Sequence, residues 1–149
     1  MGRATDFLVN LRGIVKLHES MLKEICEQYH LSLIEATIIS FLYNNPKKDT
    51  AADIVELRML SKGNVSQAVE SLIQKMLLER ENDRADRRKY HLSLTIKTKP
   101  ITDSLEHQFA RFYEEVFEGI SEKDREWYHD IQEQITCNTK NAMVRRGLQ

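Results

Sequence analysis

The sequence predicts a mainly α-helical fold that contains one small β-hairpin, which is an α+β class. Apolar residues recur at three- and four-residue intervals over most of the chain, but two short segments within residues 77–95 alternate apolar and polar positions instead. The chain has 149 residues, two prolines and five glycines. It is therefore long enough for about one helix-rich domain with few irregular loops.

The first predicted helix covers residues of about 5–29. Its apolar residues fall on one face at helical spacing: Phe7, Leu8, Leu11, Ile14, Val15, Met21, Leu22, Ile25 and Tyr29. Later helix starts are marked by a capping pattern, in which a hydroxyl and an acid three residues on satisfy the first N–H groups: Ser32 with Glu35, Thr50 with Asp53, and Ser121 with Asp124. The second helix ends before Pro46, which cannot continue it. The third helix is short, at about 50–60.

A fourth helix is predicted at about 61–76, in "SKGNVSQAVESLIQKM". Its apolar stripe consists of Val65, Val69, Leu72, Ile73 and Met76. Its other faces carry short hydrogen-bonding side chains and one lysine: Ser61, Lys62, Asn64, Ser66, Gln67 and Ser71. A face of this kind suits entry into the major groove of DNA. The alternative is a helix face that only contacts water.

A β-hairpin is predicted next, from strands at 77–81 and 89–95 that flank a charged turn. In the second strand Tyr90, Leu92 and Leu94 are predicted on one face, and the polar His91 and Ser93 on the other. The turn lies within "DRADRRKYHLSLT" and carries four cations: Arg84, Arg87, Arg88 and Lys89. Asp83 and Asp86 are expected to hold some of these arginines in fixed rotamers through paired hydrogen bonds.

Charge is divided unevenly along the chain. Residues 58–99 contain ten Lys or Arg against five Asp or Glu, whereas residues 101–135 contain three against ten. This asymmetry indicates a polyanion-binding part joined to an acidic part that stays clear of the polyanion. The alternative is a chance segregation of solvated helix faces.

Two further helices are predicted within residues 101–140. Their apolar residues are Leu105, Phe109, Phe112, Val116, Phe117, Ile120, Trp127, Tyr128, Ile131 and Ile135. One small lobe cannot cover this surface together with the stripe of the first helix, so the terminal helices of two chains are expected to interlock as a homodimer. The alternative is an ordinary helical core within one chain.

The order of helices, the segment "LSKGNVSQAVESLIQKMLLER" and the hairpin "DRADRRKYHLSLT" closely resemble the MarR family of winged helix-turn-helix transcription regulators. The most specific part is the D-x-x-D-R-R turn followed by a strand that ends in Leu-Thr. Two departures occur: the usual Gly-Leu before the second strand is Met76-Leu77-Leu78 here, and "IKTKPI" lacks the glycine that often follows the Leu-Thr strand.

The resemblance implies a single domain over residues 1–149. Residues of about 5–29 and 101–140 would be dimerisation helices, and residues of about 32–99 would form the winged helix-turn-helix lobe. It further implies a homodimer, expected to be a repressor, that binds a pseudo-palindromic operator in double-stranded DNA. The fourth helix of each lobe would lie in a major groove, and each hairpin, here called the wing, would reach an adjacent minor groove. Release by a small aromatic ligand is the family's commoner theme, but no residue can be assigned to it.

Specific roles follow for the residues of the fourth helix and the wing. Base-edge contacts are expected from Asn64, Ser66 and Gln67, whereas Ser61 and Lys62 are expected at phosphates. Arg84 and Arg87 are expected in the minor groove. Arg88 is expected to pair with Asp83 or Asp86 and so position the tip, near Lys89. The roles of the arginines could be reversed.

Other functions are less well supported. The chain has no run of about 18 apolar residues and no signal-peptide pattern, so a cytoplasmic location without membrane contact is expected. It has no phosphate-binding glycine loop and none of the common catalytic motifs, so neither an enzyme nor a cofactor is expected. A winged helix that only binds proteins is the main rival.

Metal or thiol sensing is another alternative. Cys26 and His30 are four residues apart on the first helix, and His107 lies on a later one, but a scattered cysteine and histidines are more often packing and solvated residues than ligands. Cys26 also has little nearby that would make its thiol reactive. Together with Cys137 it is too sparse for a disulfide framework.

Overall fold

The computed structural model describes residues 2–148. Over this range the chain forms six α-helices and one antiparallel strand pair: α1 Arg3–Tyr29, α2 Leu33–Asn44, α3 Ala51–Arg58, α4 Lys62–Gln74, β1 Leu78–Asn82, β2 Tyr90–Leu94, α5 Lys99–Val116 and α6 Glu122–Arg145. A 3-10 turn at Ile96–Thr98 leads from β2 into α5. The predicted mainly α-helical class with one hairpin is therefore confirmed, and the predicted elements differ from the observed ones by a few residues at their ends.

Local capping explains the helix starts. The Ser32 hydroxyl accepts the Glu35 N–H and Glu35 accepts the Ser32 N–H, and Thr50 and Asp53 form the same reciprocal pair. At α6 the pattern works in one direction, because Ser121 accepts the Asp124 N–H without a return bond. Each such residue satisfies N–H groups that the first helical turn leaves without an intrahelical acceptor.

The structure divides into two compact units, one that ends at Phe112 and one that begins at Tyr113. In the first unit, the C-terminal half of α1, α2, α3, α4 and the hairpin share one apolar core. Its fully buried side chains are Ile38, Ile39, Ile54, Val65, Leu72 and Leu78. Leu92 adds a buried side chain from β2, and its N–H donates to the Asp49 carbonyl at 2.8 Å. The hairpin is thus attached to the segment that precedes α3.

The end of α4 explains the departure at Met76. The Leu77 N–H donates to the Leu72 carbonyl and the Met76 N–H to the Ile73 carbonyl, which is the Schellman arrangement that closes many helices. Met76 there has φ 62°, a left-handed conformation in which glycine is common and other residues are strained. The predicted place of Met76 in the apolar stripe is wrong, because it lies beyond the helix and its side chain is 61% exposed.

The second unit contains the end of α5, a turn and α6. Gly119 takes the left-handed conformation in this turn, with φ 76°. The Arg125 guanidinium closes the turn by donating to the carbonyls of Ile120 and Phe117, each at 2.9 Å. None of the described residues of α6 is buried. Its apolar residues are exposed within the single chain, including Trp127, Tyr128, Ile131 and Ile135.

The N-terminal half of α1 shows the same exposure in the first unit. Phe7, Leu8 and Val15 are each more than half exposed, whereas Leu22 and Ile25 are buried in the core. Of the apolar stripe predicted for α5, Leu105 is buried and Phe109 is exposed. Parts of α1 and α5 therefore pack in the core of the first unit, and the choice between a homodimer and an intrachain core for the remaining apolar residues stays a prediction.

Candidate nucleic-acid interface

One face of α4 is polar and open to solvent. Val65, Ala68, Val69 and Leu72 are buried against the lobe. The five residues predicted to contact DNA from this helix are all exposed: Ser61, Lys62, Asn64, Ser66 and Gln67. The Ser61 hydroxyl accepts the Asn64 N–H at 3.2 Å as the helix cap, and its own O–H remains able to donate.

Ser71 does not belong to this exposed face, contrary to the sequence prediction. Its hydroxyl donates to Glu35 Oε1 in a short hydrogen bond, and Lys75 Nζ lies 2.7 Å from Glu35 Oε2 and 2.9 Å from the His30 carbonyl. Glu35 is buried at 4% exposure. One carboxylate of α2 therefore holds the last turn of α4, through Ser71, and the residue that follows the helix, Lys75, which fixes how the polar face is presented.

The pKa of Glu35 reflects these contacts. Burial acts to raise it, but hydrogen bonds from Lys75, Ser71 and the Ser32 N–H outweigh burial and lower it overall. Glu35 consequently stays ionised and paired at neutral pH. The sequence predicts Glu35 only as a capping residue, because Ser71 and Lys75 lie 36 and 40 positions further along the chain.

The hairpin has a regular register, with Leu78 opposite Leu94, Arg80 opposite Leu92 and Asn82 opposite Tyr90. Arg80 is held in place, since its guanidinium forms an ion pair with Glu70 of α4 and lies 5.3 Å from the centre of the Tyr90 ring. Tyr90 is 45% exposed, so it does not share the burial of Leu92 that the predicted alternation assigned to both. These contacts stiffen the hairpin against α4.

The turn of the hairpin is organised by its two aspartates, but through the backbone. Asp83 Oδ1 accepts the N–H groups of Ala85 and Asp86 at 2.8 and 2.9 Å, and Asp86 Oδ1 accepts the Arg88 N–H at 3.0 Å. The predicted pairing of Arg88 with Asp83 or Asp86 through its guanidinium is therefore wrong. A carboxylate that turns back on its own loop is occupied by N–H donors, as in other Asx turns.

The four cations of the turn are left available by this arrangement. Arg84, Arg87, Arg88 and Lys89 are exposed, and none forms an ion pair with the residues that the structure describes. Lys62 at the start of α4 is in the same condition. The lobe thus carries an exposed polar helix face and an exposed cationic turn, each supported by interactions beneath it.

His91, which the sequence predicts only as a polar residue of β2, contacts both the hairpin turn and the segment before α3. His91 Nδ1 is 2.8 Å from Asp49 Oδ1, and His91 Nε2 is 2.7 Å from Asp83 Oδ2. Hydrogen bonding with Asp49 and then with Asp83 raises the pKa of His91. The same bond to His91, with the turn N–H groups, lowers the pKa of Asp83 to about 2.

The metal and thiol candidates are not brought together. Cys26 is buried, and burial raises the pKa of its thiol. His30 follows α1 in a left-handed conformation, and His107 is exposed on α5. Within residues 2–148 no three His, Cys, Asp or Glu side chains are grouped to hold a metal ion. No helix in this range is both long and apolar enough to cross a membrane.

Comparisons with known proteins agree on the fold. Residues 30–89 match the sequence model of the MarR family. The structure is similar to a MarR transcriptional regulator from Methanosarcina mazei, with 18% identity, a TM-score of 0.76, and coverage of 93% of this chain and 99% of that one. A sequence comparison with curated proteins finds no match.

Two other solved structures are similar over nearly their whole length. One is the S. aureus MepR–DNA complex, with 18% identity, a TM-score of 0.70, and coverage of 93% of this chain and 98% of that one. The other is Bordetella bronchiseptica BpsR, described with regulation of its DNA binding by 6-hydroxynicotinic acid, with 18% identity, a TM-score of 0.67, and coverage of 88% and 98%. The predicted resemblance to the MarR winged-helix family is confirmed.

Proposed function

We propose that this chain is a transcriptional regulator of the MarR family. It would be a repressor rather than an enzyme, and it would bind a specific double-stranded DNA site in the cytoplasm as a homodimer. The observation that carries the proposal is the pairing of an exposed polar face on α4 with a hairpin turn whose cations have no protein counter-charge among the described residues. Contacts of Glu35 fix the helix, and hydrogen bonds of Asp83 fix the turn; side chains that only contact water do not require such support.

The helix face suits base readout. Asn64 and Gln67 carry amides that can pair bidentately with adenine, and the Ser66 hydroxyl can pair with any base. Lys62 and Ser61 lie at the first turn of α4, where a lysine, a hydroxyl and free N–H groups favour phosphate. Glu35 supports this role because it fixes the depth and rotation of α4 in the lobe through Ser71 and Lys75.

The wing suits the minor groove. Arg84 and Arg87 are our candidates for insertion, because guanidinium groups are drawn to the strong negative potential of a narrow groove. Arg88 and Lys89 lie closer to β2 and are assigned to phosphate. Asp83 and Asp86 position the wing by holding the turn backbone, in place of the arginine side chains.

A homodimer accounts for the exposed apolar residues of α1 and α6. Phe7, Leu8 and Trp127 are more than half exposed in the single chain, and side chains of this size and number favour burial against a second copy. Two lobes related by a two-fold axis would read two half-sites about one helical turn apart with inverted symmetry. In this proposal residues of about 32–99 act as the DNA-binding lobe.

Release by a small ligand is part of the proposal. A cleft of about 660 Å³ in the first unit is lined by four apolar residues, Leu77, Ile96, Pro100 and Ile101, and by four residues with polar groups, Tyr29, His30, Lys75 and Lys97. Such a lining suits a small organic anion. The relative regulated by 6-hydroxynicotinic acid makes an aromatic carboxylate a reasonable first probe.

The test is selection of duplexes from a random pool, followed by binding measurements on the selected duplex and on a scrambled one. Gln67→Ala should weaken the selected duplex by about 1–3 kcal/mol and change the scrambled duplex little, because an amide-to-base contact is lost. Arg87→Ala should weaken both. Failure to enrich any duplex, with the protein folded, would instead favour the protein-interaction module.

A further inference from the structure

His91 joins the wing to the helical lobe through two carboxylates. Asp49 belongs to the segment that precedes α3, and Asp83 is the residue at which the wing turn begins. The two imidazole nitrogens lie 2.8 Å from Asp49 Oδ1 and 2.7 Å from Asp83 Oδ2. The ring therefore spans the gap between two parts of the chain that are 34 positions apart in sequence.

Only the protonated ring can satisfy both contacts. An imidazolium donates from both nitrogens, whereas a neutral imidazole donates from one and turns the lone pair of the other toward a carboxylate. The remaining oxygen of Asp83 accepts the N–H groups of Ala85 and Asp86. A change at His91 is thus passed to the backbone that carries Arg84.

The charged groups that face His91 favour its protonated form. Asp49 and Asp83 contact it, and Glu81 is directly opposite across the strand pair. α2 also packs on β2, but its titratable side chains are Glu35, which is engaged by Ser71 and Lys75, and Tyr43. Hydrogen bonds that His91 donates to the carboxylates of Asp49 and Asp83 raise its pKa above the ordinary value.

We propose that His91 is a positioning residue for DNA binding, which as an imidazolium ties the wing turn to the lobe and on losing its second N–H releases it. The inference rests on the proposed function, because the released element is the turn with the cations assigned to DNA. If the turn is held in the DNA-binding arrangement in only a fraction of the molecules, the apparent affinity for DNA equals the intrinsic affinity multiplied by that fraction. Operator affinity should consequently fall as pH rises.

The direction follows from linkage. A folded-state pKa that is raised above the unfolded value gives a contribution that is complete below the unfolded pKa and is lost as pH rises through the folded pKa. For His91 that window begins near its ordinary value and extends upward. Asp83 stays ionised throughout, since its pKa of about 2 lies far below this window.

The experiment measures fluorescence anisotropy of a labelled duplex selected from the random pool, at about pH 6 and about pH 9. Wild-type affinity should fall by about three- to tenfold over this range, if the turn remains held for roughly a third to a tenth of the time. His91→Gln should bind at the weaker level with a flat profile. His91→Arg, which keeps donors for both carboxylates, should restore tighter binding without the pH dependence.

His107→Gln is the matched control, because His107 is an exposed histidine of α5 away from the wing. It should keep the wild-type pH profile. In the free protein, hydrogen exchange at the Ala85 and Asp86 amides should be faster in His91→Gln than in the wild type at the same pH. Thermal unfolding of both proteins shows whether the rest of the fold is unchanged.

The outcomes separate the two proposals. Binding to the selected duplex with a pH profile that His91→Gln leaves unchanged would overturn the role of His91 while DNA binding stands. Unaltered exchange at Ala85 and Asp86 in that variant would overturn it as well. Absence of binding to every duplex at every pH would refute the proposed function, and the role of His91 with it.

Discussion

Removal of one exposed wing cation should change the salt dependence of DNA binding by a predictable amount. Arg87 has no ion-pair partner in the described range, so its charge is available to displace a condensed counterion from DNA. Each neutralised phosphate contributes about 0.9 to the slope of log affinity against log salt. Because a homodimer carries Arg87 twice, Arg87→Gln should make the slope shallower by about 1.8.

The effect is large enough to measure with simple titrations. Between about 50 and about 200 mM salt, a difference of about 1.8 in slope makes the ratio of wild-type to variant affinity shrink by about tenfold. If Lys62, Arg84, Arg87, Arg88 and Lys89 of both protomers all contributed, the wild-type slope would be about −9. Anisotropy titrations of the same labelled duplex at four or more salt concentrations would give both slopes.

Arg80→Gln is the matched control on the same hairpin. Arg80 is ion-paired with Glu70 and lies over Tyr90, so its charge is already compensated within the lobe. Its removal should change the slope much less than removal of Arg87. Equal changes in the two variants, or an unchanged slope for Arg87→Gln, would refute the assignment of the wing turn to DNA.

Three further predictions concern stability and assembly. Met76→Gly should be more stable than Met76→Ala by about 0.5–1 kcal/mol in urea unfolding. Both variants remove the side chain, but alanine keeps the left-handed strain of about 1–2 kcal/mol, which the greater entropy of glycine in the unfolded chain offsets in part. As a control, Ala110→Gly within α5 should lower the free energy of unfolding by about 1 kcal/mol. Glu35→Gln should lower the free energy of unfolding by about 1–3 kcal/mol at neutral pH. This loss should shrink as pH falls through the lowered pKa of Glu35, because the wild-type carboxylate then also loses its charge. A loss of stability that does not depend on pH would contradict the pairing with Lys75. Ile131→Glu should convert a dimer to monomers in sedimentation, and an unchanged sedimentation coefficient would remove α6 from the proposed interface.

Much of the fold was accessible from local patterns. The reciprocal caps at Ser32 and Thr50 involve residues three positions apart, so their sequence alone contains both partners. The apolar spacing of α4 similarly determined which of its sides is exposed, and Asn64, Ser66 and Gln67 are on it. The absent glycine at Met76 was also visible, although its meaning required the left-handed φ.

The candidate site was accessible only in part. The cations of the wing were identified because charge and turn residues are local signals. The partners of the two aspartates could not be predicted: the charge pattern favours arginine side chains, whereas both carboxylates accept turn N–H groups and Asp83 also contacts His91. A carboxylate in a tight turn meets its own backbone before it meets a long, flexible guanidinium, and sequence composition does not rank these donors.

The sequence by itself determined the helices, the hairpin, the polar face of α4 and the charge of the wing, because each depends on periodicity or on residues within a few positions. Only the tertiary structure decided which polar groups meet across the lobe. Glu35 meets Ser71 and Lys75 over 36 and 40 positions, and His91 meets Asp49 over 42. Such pairs form because the buried core sets the distances between segments, and no local pattern in the chain encodes those distances.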